Sequence, residues 1–454
     1  MKSILISTFL LIIVLFLVME NKEKKAVLII IFMLAFFGSP FENRFIQTGI
    51  RIDMSGIIIF FFWVLIRLKN MNSKKYKNNW KKLSPKVTYL YFFLLEGVFL
   101  GLIYHQDERE TLLRMLIQTP FQQIINNSIN IILVIIFLKI LVNFQYDDLL
   151  RSKMAKIFMI TIFINVFSQM LKLLGMENIL MGLFRTQGIF DTEEVRNNGL
   201  WAGFGMGVYV VLIISFSSLY YKNHKFLSIA AILSAVVFSI LTAARQTIVF
   251  TGIFFILIIL IYVLKRKLSI KYISMIIIII IGFVISFNRY LSQTTLFQRF
   301  TPGIEYLDQG DVLMASGRDA NGIPDVLADI STYPFLGKGL LNLYDTKHSR
   351  TNIAGHVIWF NIYKKFGIIG VVYLLTILIY PIVKLYKICI KTKDKYVLKE
   401  GAILFSLMVI VFAQQFWDNF FWFSNTMLLY AFIYFWVFSF FNRQKLLNKK
   451  QKVI

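Results

Sequence analysis

Apolar runs long enough to cross a lipid bilayer recur from one end of the chain to the other. A helix spanning the roughly 30 Å hydrocarbon layer needs about 20 apolar residues, and about 17 is near the minimum. Runs near that length fall at 3–19, 26–41, 56–68, 87–104, 129–144, 157–174, 199–221, 226–243, 246–264, 272–288, 367–389, 400–416 and 425–441, the third being the shortest. Hydrocarbon offers backbone groups no water partner, so such segments must be helical. The predicted fold is therefore an all-α polytopic integral membrane protein with about 12–13 transmembrane helices. Composition excludes the alternatives. Hydrophobic residues make up 57% of the 454 and charged residues 16%, whereas a soluble domain carries roughly 45–50% and about 25%. Disorder, collagen-like repeats and a disulfide scaffold fail on sparse charge, few Pro and a single cysteine, Cys389. No internal repeat or low-complexity linker divides the chain, and 1–454 reads as a single membrane domain.

The net charge of +25 would suggest nucleic acid in a soluble protein. Here it is sorted by topology instead. Alternate connections, near 20–25, 67–86, 145–156, 222–225, 265–271, 384–399 and 443–452, carry 31 of the 49 Lys and Arg residues against a handful of acids. The opposite set is close to neutral. Lys/Arg bias marks the cytoplasmic side, so the nucleic-acid reading falls away and the basic loops are topological anchors that also attract anionic lipid. The first run lacks the basic leading flank and cleavage site of a signal peptide. It is expected to stay as a helix with the N-terminus outside, leaving 443–454 as a basic cytoplasmic tail.

One connection stands apart. The stretch 289–366, before the last three spans, is predicted to face outward, and loops of that length are uncommon without a function of their own. It contains Ser316-Gly317-Arg318-Asp319, then Pro324 and Asp325 at a suitable helix start, then the turn Tyr333-Pro334-Phe335-Leu336-Gly337-Lys338-Gly339. His348 and His356 follow, the latter opening an amphipathic stretch that ends at Gly367-Ile368-Ile369-Gly370. Acids at Glu305, Asp308, Asp311, Asp319, Asp325 and Asp329 would allow two-carboxylate glycoside chemistry. No zinc-ligand spacing, Asp-x-Asp pair or phosphate loop occurs. Arginines at the outer face are sharper markers. Arg245 sits in Thr242-Ala243-Ala244-Arg245-Gln246 between two apolar runs, where a charge near hydrocarbon needs a reason. Arg196 precedes a span start whose Gly199, Gly203 and Gly207 suit close helix packing.

At these residues the sequence resembles the O-antigen and capsular polysaccharide polymerase family, which is related to O-antigen ligases. The pieces occur in the family's order: Arg196 with Gly199, Ala244-Arg245, Ser316-Gly317-Arg318, Pro334 to Gly339, and His356 before Gly367-Ile368-Ile369-Gly370. The similarity runs from about Arg196 to Ile379; Ala244 and Val357 stand where the family usually has Ser and often Asn. The resemblance implies a glycosyltransferase acting on polyprenyl-diphosphate-linked oligosaccharides, without metal or other cofactor. Arg196, Arg245 and Arg318 would hold the diphosphate, since a guanidinium fork matches phosphate oxygens and keeps its charge. His356 would be the base that takes the acceptor hydroxyl's proton, with His348 and Asp319 as secondary candidates and Trp359 and Tyr363 available to stack on sugars. Membrane lipids and a chain-length-regulating membrane protein are the implied partners. A ligase passing a finished glycan to another acceptor would show the same features. A lipid-linked-sugar transporter or flippase is the alternative of a different class, and it calls for midplane charges, of which only Glu96, Lys139 and Lys172 are candidates.

Overall fold

The computed structural model describes residues 2–20, 22–35, 54–69, 93–100, 102, 120–176, 206–242, 245–265, 331, 333–337, 339, 358–416 and 424–451. Regular structure among them is helical throughout, as expected of an all-α polytopic membrane protein. In chain order the principal helices are α1 (Lys2–Met19), α2 (Glu23–Ala35), α3 (Met54–Lys69), α4 (Pro120–Val142), α5 (Asp148–Leu173), α6 (Met206–Leu219), α7 (Lys225–Leu241), α8 (Arg245–Leu264), α9 (Ile358–Lys391), α10 (Lys395–Gln414) and α11 (Ser424–Gln451). Among the described residues four stretches are long and apolar enough to cross a membrane: Asp148–Leu171, Thr247–Leu264, Lys365–Lys391 and Lys395–Gln414. Shorter apolar helices cover Ile57–Leu68, Ser128–Val142, Gly207–Leu219 and Lys225–Leu241.

Several boundaries differ from the hydropathy reading, for one reason: apolar runs stop at polar residues but helical hydrogen bonding does not. α4 starts at Pro120, a residue suited to a first helical position, and runs through Gln122, Asn126 and Ser128 before the apolar stretch begins. α9 continues to Lys391, so the connection expected at 384–399 shrinks to a short link ending at Asp394. Asp394 accepts from the amides of Tyr396 (2.7 Å) and Val397 (3.3 Å), capping α10. The basic tail is likewise helical as far as Gln451.

α6 is the centre of the bundle, packed by α5, α7, α8 and α10. Its residues Val208 to Ile214 are all fully buried, which suits a helix that is apolar on every side. Rings from three helices meet beside it: Phe158 of α5 stacks on Phe432 of α11 (5.2 Å) and meets Phe216 of α6 (5.5 Å), while Phe216 packs on Trp436 (4.5 Å).

A carbonyl opposite a proline and two in the last turns of helices receive side chains from elsewhere in the bundle. Pro381 has no N–H to give Ile377, and the hydroxyl of Tyr434 on α11 donates to the Ile377 carbonyl instead. Leu34, in the last turn of α2, receives the Tyr209 hydroxyl, and Ile390, in the last turn of α9, receives the Lys265 ammonium.

The described basic connections gather at one end of the bundle. Lys24 pairs with Asp147 (2.6 Å), Ser152 meets His224 (3.4 Å), Lys222 reaches the Tyr396 hydroxyl (3.3 Å), and Asn442 donates to Gln145 (2.7 Å). Arg443 forks onto Glu400 at 2.5 and 3.3 Å, and buried Arg151 pairs with Asp148 and donates to the Gln145 carbonyl. Burial opposes the ionisation of Asp147, but the Lys24 ammonium and the Leu150 amide outweigh it and hold the carboxyl below the ordinary carboxylate range.

Two outcomes follow from these contacts. Tyr434→Phe should destabilise the purified protein by about 1–3 kcal/mol in denaturant unfolding. The loss should shrink in a Pro381→Ala background, where residue 381 regains an N–H; an equal loss in both backgrounds would show that the hydroxyl does not serve the proline gap. Asp147→Ala should cost about 1 kcal/mol as a lost helix cap. A depressed folded-state pKa gives stability present above the unfolded value and lost as pH falls through the folded one. The gap between wild type and Asp147→Ala in thermal unfolding should therefore stay level from about pH 5 to 8 and close below about pH 4. A gap that persists undiminished at about pH 2 would remove the carboxylate from the explanation.

Candidate functional site

α9 breaks at Gly367, whose φ of 58° and ψ of −159° are not helical. A break frees amides on the side that starts again and carbonyls on the side that stops. The turn 333–337 and Gly339 just beyond it meet both needs. Pro334 and Phe335 present their carbonyls to the amides of Ile368 (3.0 Å) and Ile369 (3.4 Å), while the amide of Gly339 donates to the carbonyl of Lys365 (2.8 Å). The turn closes on itself through Gly337, whose amide donates to the Tyr333 carbonyl at 3.2 Å. Gly337 (φ 70°) and Gly339 (φ 82°) both lie in the left-handed region, where side chains are disfavoured.

Gly367 has a second, steric reason to be glycine. A Cβ there would lie 2.1 Å from the Phe335 carbonyl oxygen and 2.5 Å from the Leu336 nitrogen. The backbones are in direct contact, with no room between them. Pro334 to Gly339 and Gly367 to Gly370, which the sequence presents as separate motifs, are thus one interlocked unit. Phe335 is 70% exposed and Leu336 45% exposed, so the turn presents an apolar knob above its backbone contact.

The first turn of α8 begins with Arg245. α8 and α9 end together, where Lys265 meets Ile390 and Tyr262 packs near Cys389. Counting back from there at about 1.5 Å per residue, Arg245 and Gly367 belong to the same end of the bundle, opposite the basic connections. Arg196, Arg318, Asp319, His348 and His356 lie outside the described residues. Trp359, a candidate for stacking on sugar, is half-buried and packs on Phe416 (5.4 Å) and Phe412 (6.1 Å).

Two charged residues at this end were not singled out by motif. Lys365 is buried at 7% exposure beside the glycine break, and its carbonyl takes part in the docking. Phe93 packs at a tilt on Phe366 (4.8 Å) and meets Tyr373 edge-on (6.0 Å), so the segment that carries Glu96, one turn further along, runs beside this part of α9. Both carboxyl oxygens of Glu96 are enclosed without a hydrogen-bond donor among the described residues. The signal available in sequence was the presence of an acid inside an apolar run. Among the described residues no three His, Cys, Asp or Glu side chains gather as a metal-holding group. Protein-family models give no match to this chain, and neither do curated proteins.

Gly367→Ala should undock the turn. Measured on purified protein, the outcome expected is faster proteolysis at 333–339 and a loss of at least about 2–3 kcal/mol, since positive-φ strain adds to a backbone collision. Gly252→Ala in α8, where a Cβ meets nothing within 4 Å, should be neutral or stabilising by up to about 1 kcal/mol. Similar behaviour of the two variants would contradict the contact.

Proposed function

We propose that the chain is a polysaccharide polymerase that joins polyprenyl-diphosphate-linked oligosaccharide repeat units at the outer face of the cytoplasmic membrane. The observation that carries the reading is the interlock of Pro334–Gly339 with Gly367–Gly370 at the end of the bundle where α8 begins with Arg245. Both segments belong to the resemblance, and their union fixes the turn against the start of the span that follows it. The multi-pass chain would have its N-terminus outside and its C-terminus in the cytoplasm, as the Lys/Arg asymmetry implies.

In this mechanism the bond between the donor's anomeric carbon and the diphosphate oxygen breaks, and the acceptor hydroxyl oxygen takes its place. The polyprenyl diphosphate leaves with the bonding pair. Arg196, Arg245 and Arg318 hold its developing charge, which is the main burden because the leaving group is already good. His356 receives the acceptor's proton. No metal or other cofactor is called on, and the substrates are two lipid-linked glycans. A membrane protein that sets chain length is the partner this reading expects.

The test uses purified protein in vesicles with lipid-linked repeats as sole substrate. Lengthening of the glycan supports polymerisation, a requirement for a second acceptor indicates a ligase, and movement without lengthening indicates a flippase. In the same assay Arg245→Lys and Arg318→Lys should each lower the rate roughly tenfold to a hundredfold, because a point charge cannot replace a bidentate fork. His356→Gln should lower it by about 10²–10⁴-fold, and wild-type turnover should fall below about pH 6 as the free base disappears. Wild-type rates in all three variants would reduce these residues to membrane anchors.

A further inference from the structure

Away from the candidate site, a groove of about 620 Å³ runs along one flank of α9, lined among others by Val372, Thr376, Ile379, Val383, Lys384 and Lys387. Spacings of three and four place these residues on one stripe. The stripe is open: Val372 is 51% exposed and Val383 42%. It is apolar for most of its length and ends in two ammonium groups toward Lys391, at the basic end of the bundle. From Val372 to Lys384 it rises about 18 Å at roughly 1.5 Å per residue, a little more than half of a roughly 30 Å hydrocarbon layer. Lys384 is held at the mouth, with its ammonium 4.1 Å over the Phe441 ring and 3.4 Å from the Tyr380 hydroxyl. No carboxylate among the described residues pairs with Lys384 or Lys387.

We propose that this groove binds an anionic glycerophospholipid from the leaflet on the basic side, with one acyl chain along Val372 to Val383 and the phosphate between Lys384 and Lys387. The shape selects the occupant. A single apolar tail of one leaflet's length, ending in one anionic head, satisfies both parts of the groove. An apolar partner helix would cover the stripe but bring no anion to the two ammonium groups. A zwitterionic lipid would bring no net charge to two ammonium groups. Because α9 also carries Gly367 at its far end, a lipid seated here steadies the helix on which the turn docks.

The experiment uses the full-length protein reconstituted in vesicles of equal parts phosphatidylglycerol and phosphatidylcholine, then released into mild detergent for native mass spectrometry. Wild type should retain phosphatidylglycerol in preference to phosphatidylcholine. Each lysine near an anionic surface is worth roughly fivefold in affinity, so Lys384→Gln with Lys387→Gln should weaken retention on the order of 25-fold. Thr376→Trp, which fills the groove and leaves both lysines, should also lose the lipid. Lys393→Gln with Lys395→Gln removes the same charge at the same end but outside the groove, and should match wild type. Excess inorganic phosphate should not displace the lipid. Equal retention of both lipids, equal loss in the two double variants, displacement by phosphate, or a second copy of the chain in place of lipid would each overturn the proposal.

Discussion

A main-chain carbonyl or amide placed in hydrocarbon has no water to turn to, and each one left unpaired costs several kcal/mol. This constraint explains the interruptions in the bundle better than any feature of its apolar surface. α9 breaks at Gly367 only because Pro334, Phe335 and Gly339 bring backbone partners to the groups the break exposes. Pro381 is tolerated further along the same helix because Tyr434 reaches the carbonyl that the proline abandons. Leu34 and Ile390 are served in the same way by Tyr209 and Lys265. The irregular positions are therefore where the helices are tied to one another.

The same ties give the molecule two unlike ends. At one, Lys24 with Asp147, Lys222 with Tyr396 and Arg443 with Glu400 tie separate segments together, while Arg151 is held within its own by Asp148 and Gln145. At the other, the contact is backbone on backbone, and side chains are excluded by a Cβ-to-oxygen distance of 2.1 Å at Gly367. Under the proposed function such a fixed contact would serve positioning, because a diphosphate must be held and a hydroxyl aimed at an anomeric carbon. In the proposed reaction little covalent chemistry falls to the protein beyond charge neutralisation and one proton transfer.

Most of the architecture was legible in the sequence because the bilayer leaves a short menu: apolar runs among the described residues are helices, the run at 272–288 and most of the stretch 289–366 lying outside them, and the Lys-rich connections that the structure describes meet at one end. The glycine motifs were legible as motifs, but their partnership was not, since 334–339 and 367–370 are joined through backbone groups that no side-chain pattern reports. The Pro381–Tyr434 pairing was hidden for a related reason: the proline announces a missing donor, not who replaces it. Helix ends at Pro120, Lys391 and Gln451 escaped because hydropathy follows side chains while helices follow hydrogen bonds. Trp359, read as available for sugar, is half-buried and also packs on Phe412 and Phe416, contacts that no pattern in the sequence reports. Of the arginine and histidine candidates, only the backbone of Arg245 lies among the described residues, at the first turn of α8.

In the proposed orientation the glycine-docked end faces out of the cell and the ion-paired end faces in. Thiol labelling tests it directly, because the single native cysteine, Cys389, is buried and can be replaced by serine. Cysteines introduced singly at Leu336, 45% exposed, and at Tyr396, 70% exposed, sample the two ends. With a membrane-impermeant reagent, in cells whose outer layers admit it, Leu336→Cys should react at once and Tyr396→Cys only after permeabilisation. The reverse pattern, or equal labelling of both in intact cells, would contradict the orientation and with it the outward placement of the site.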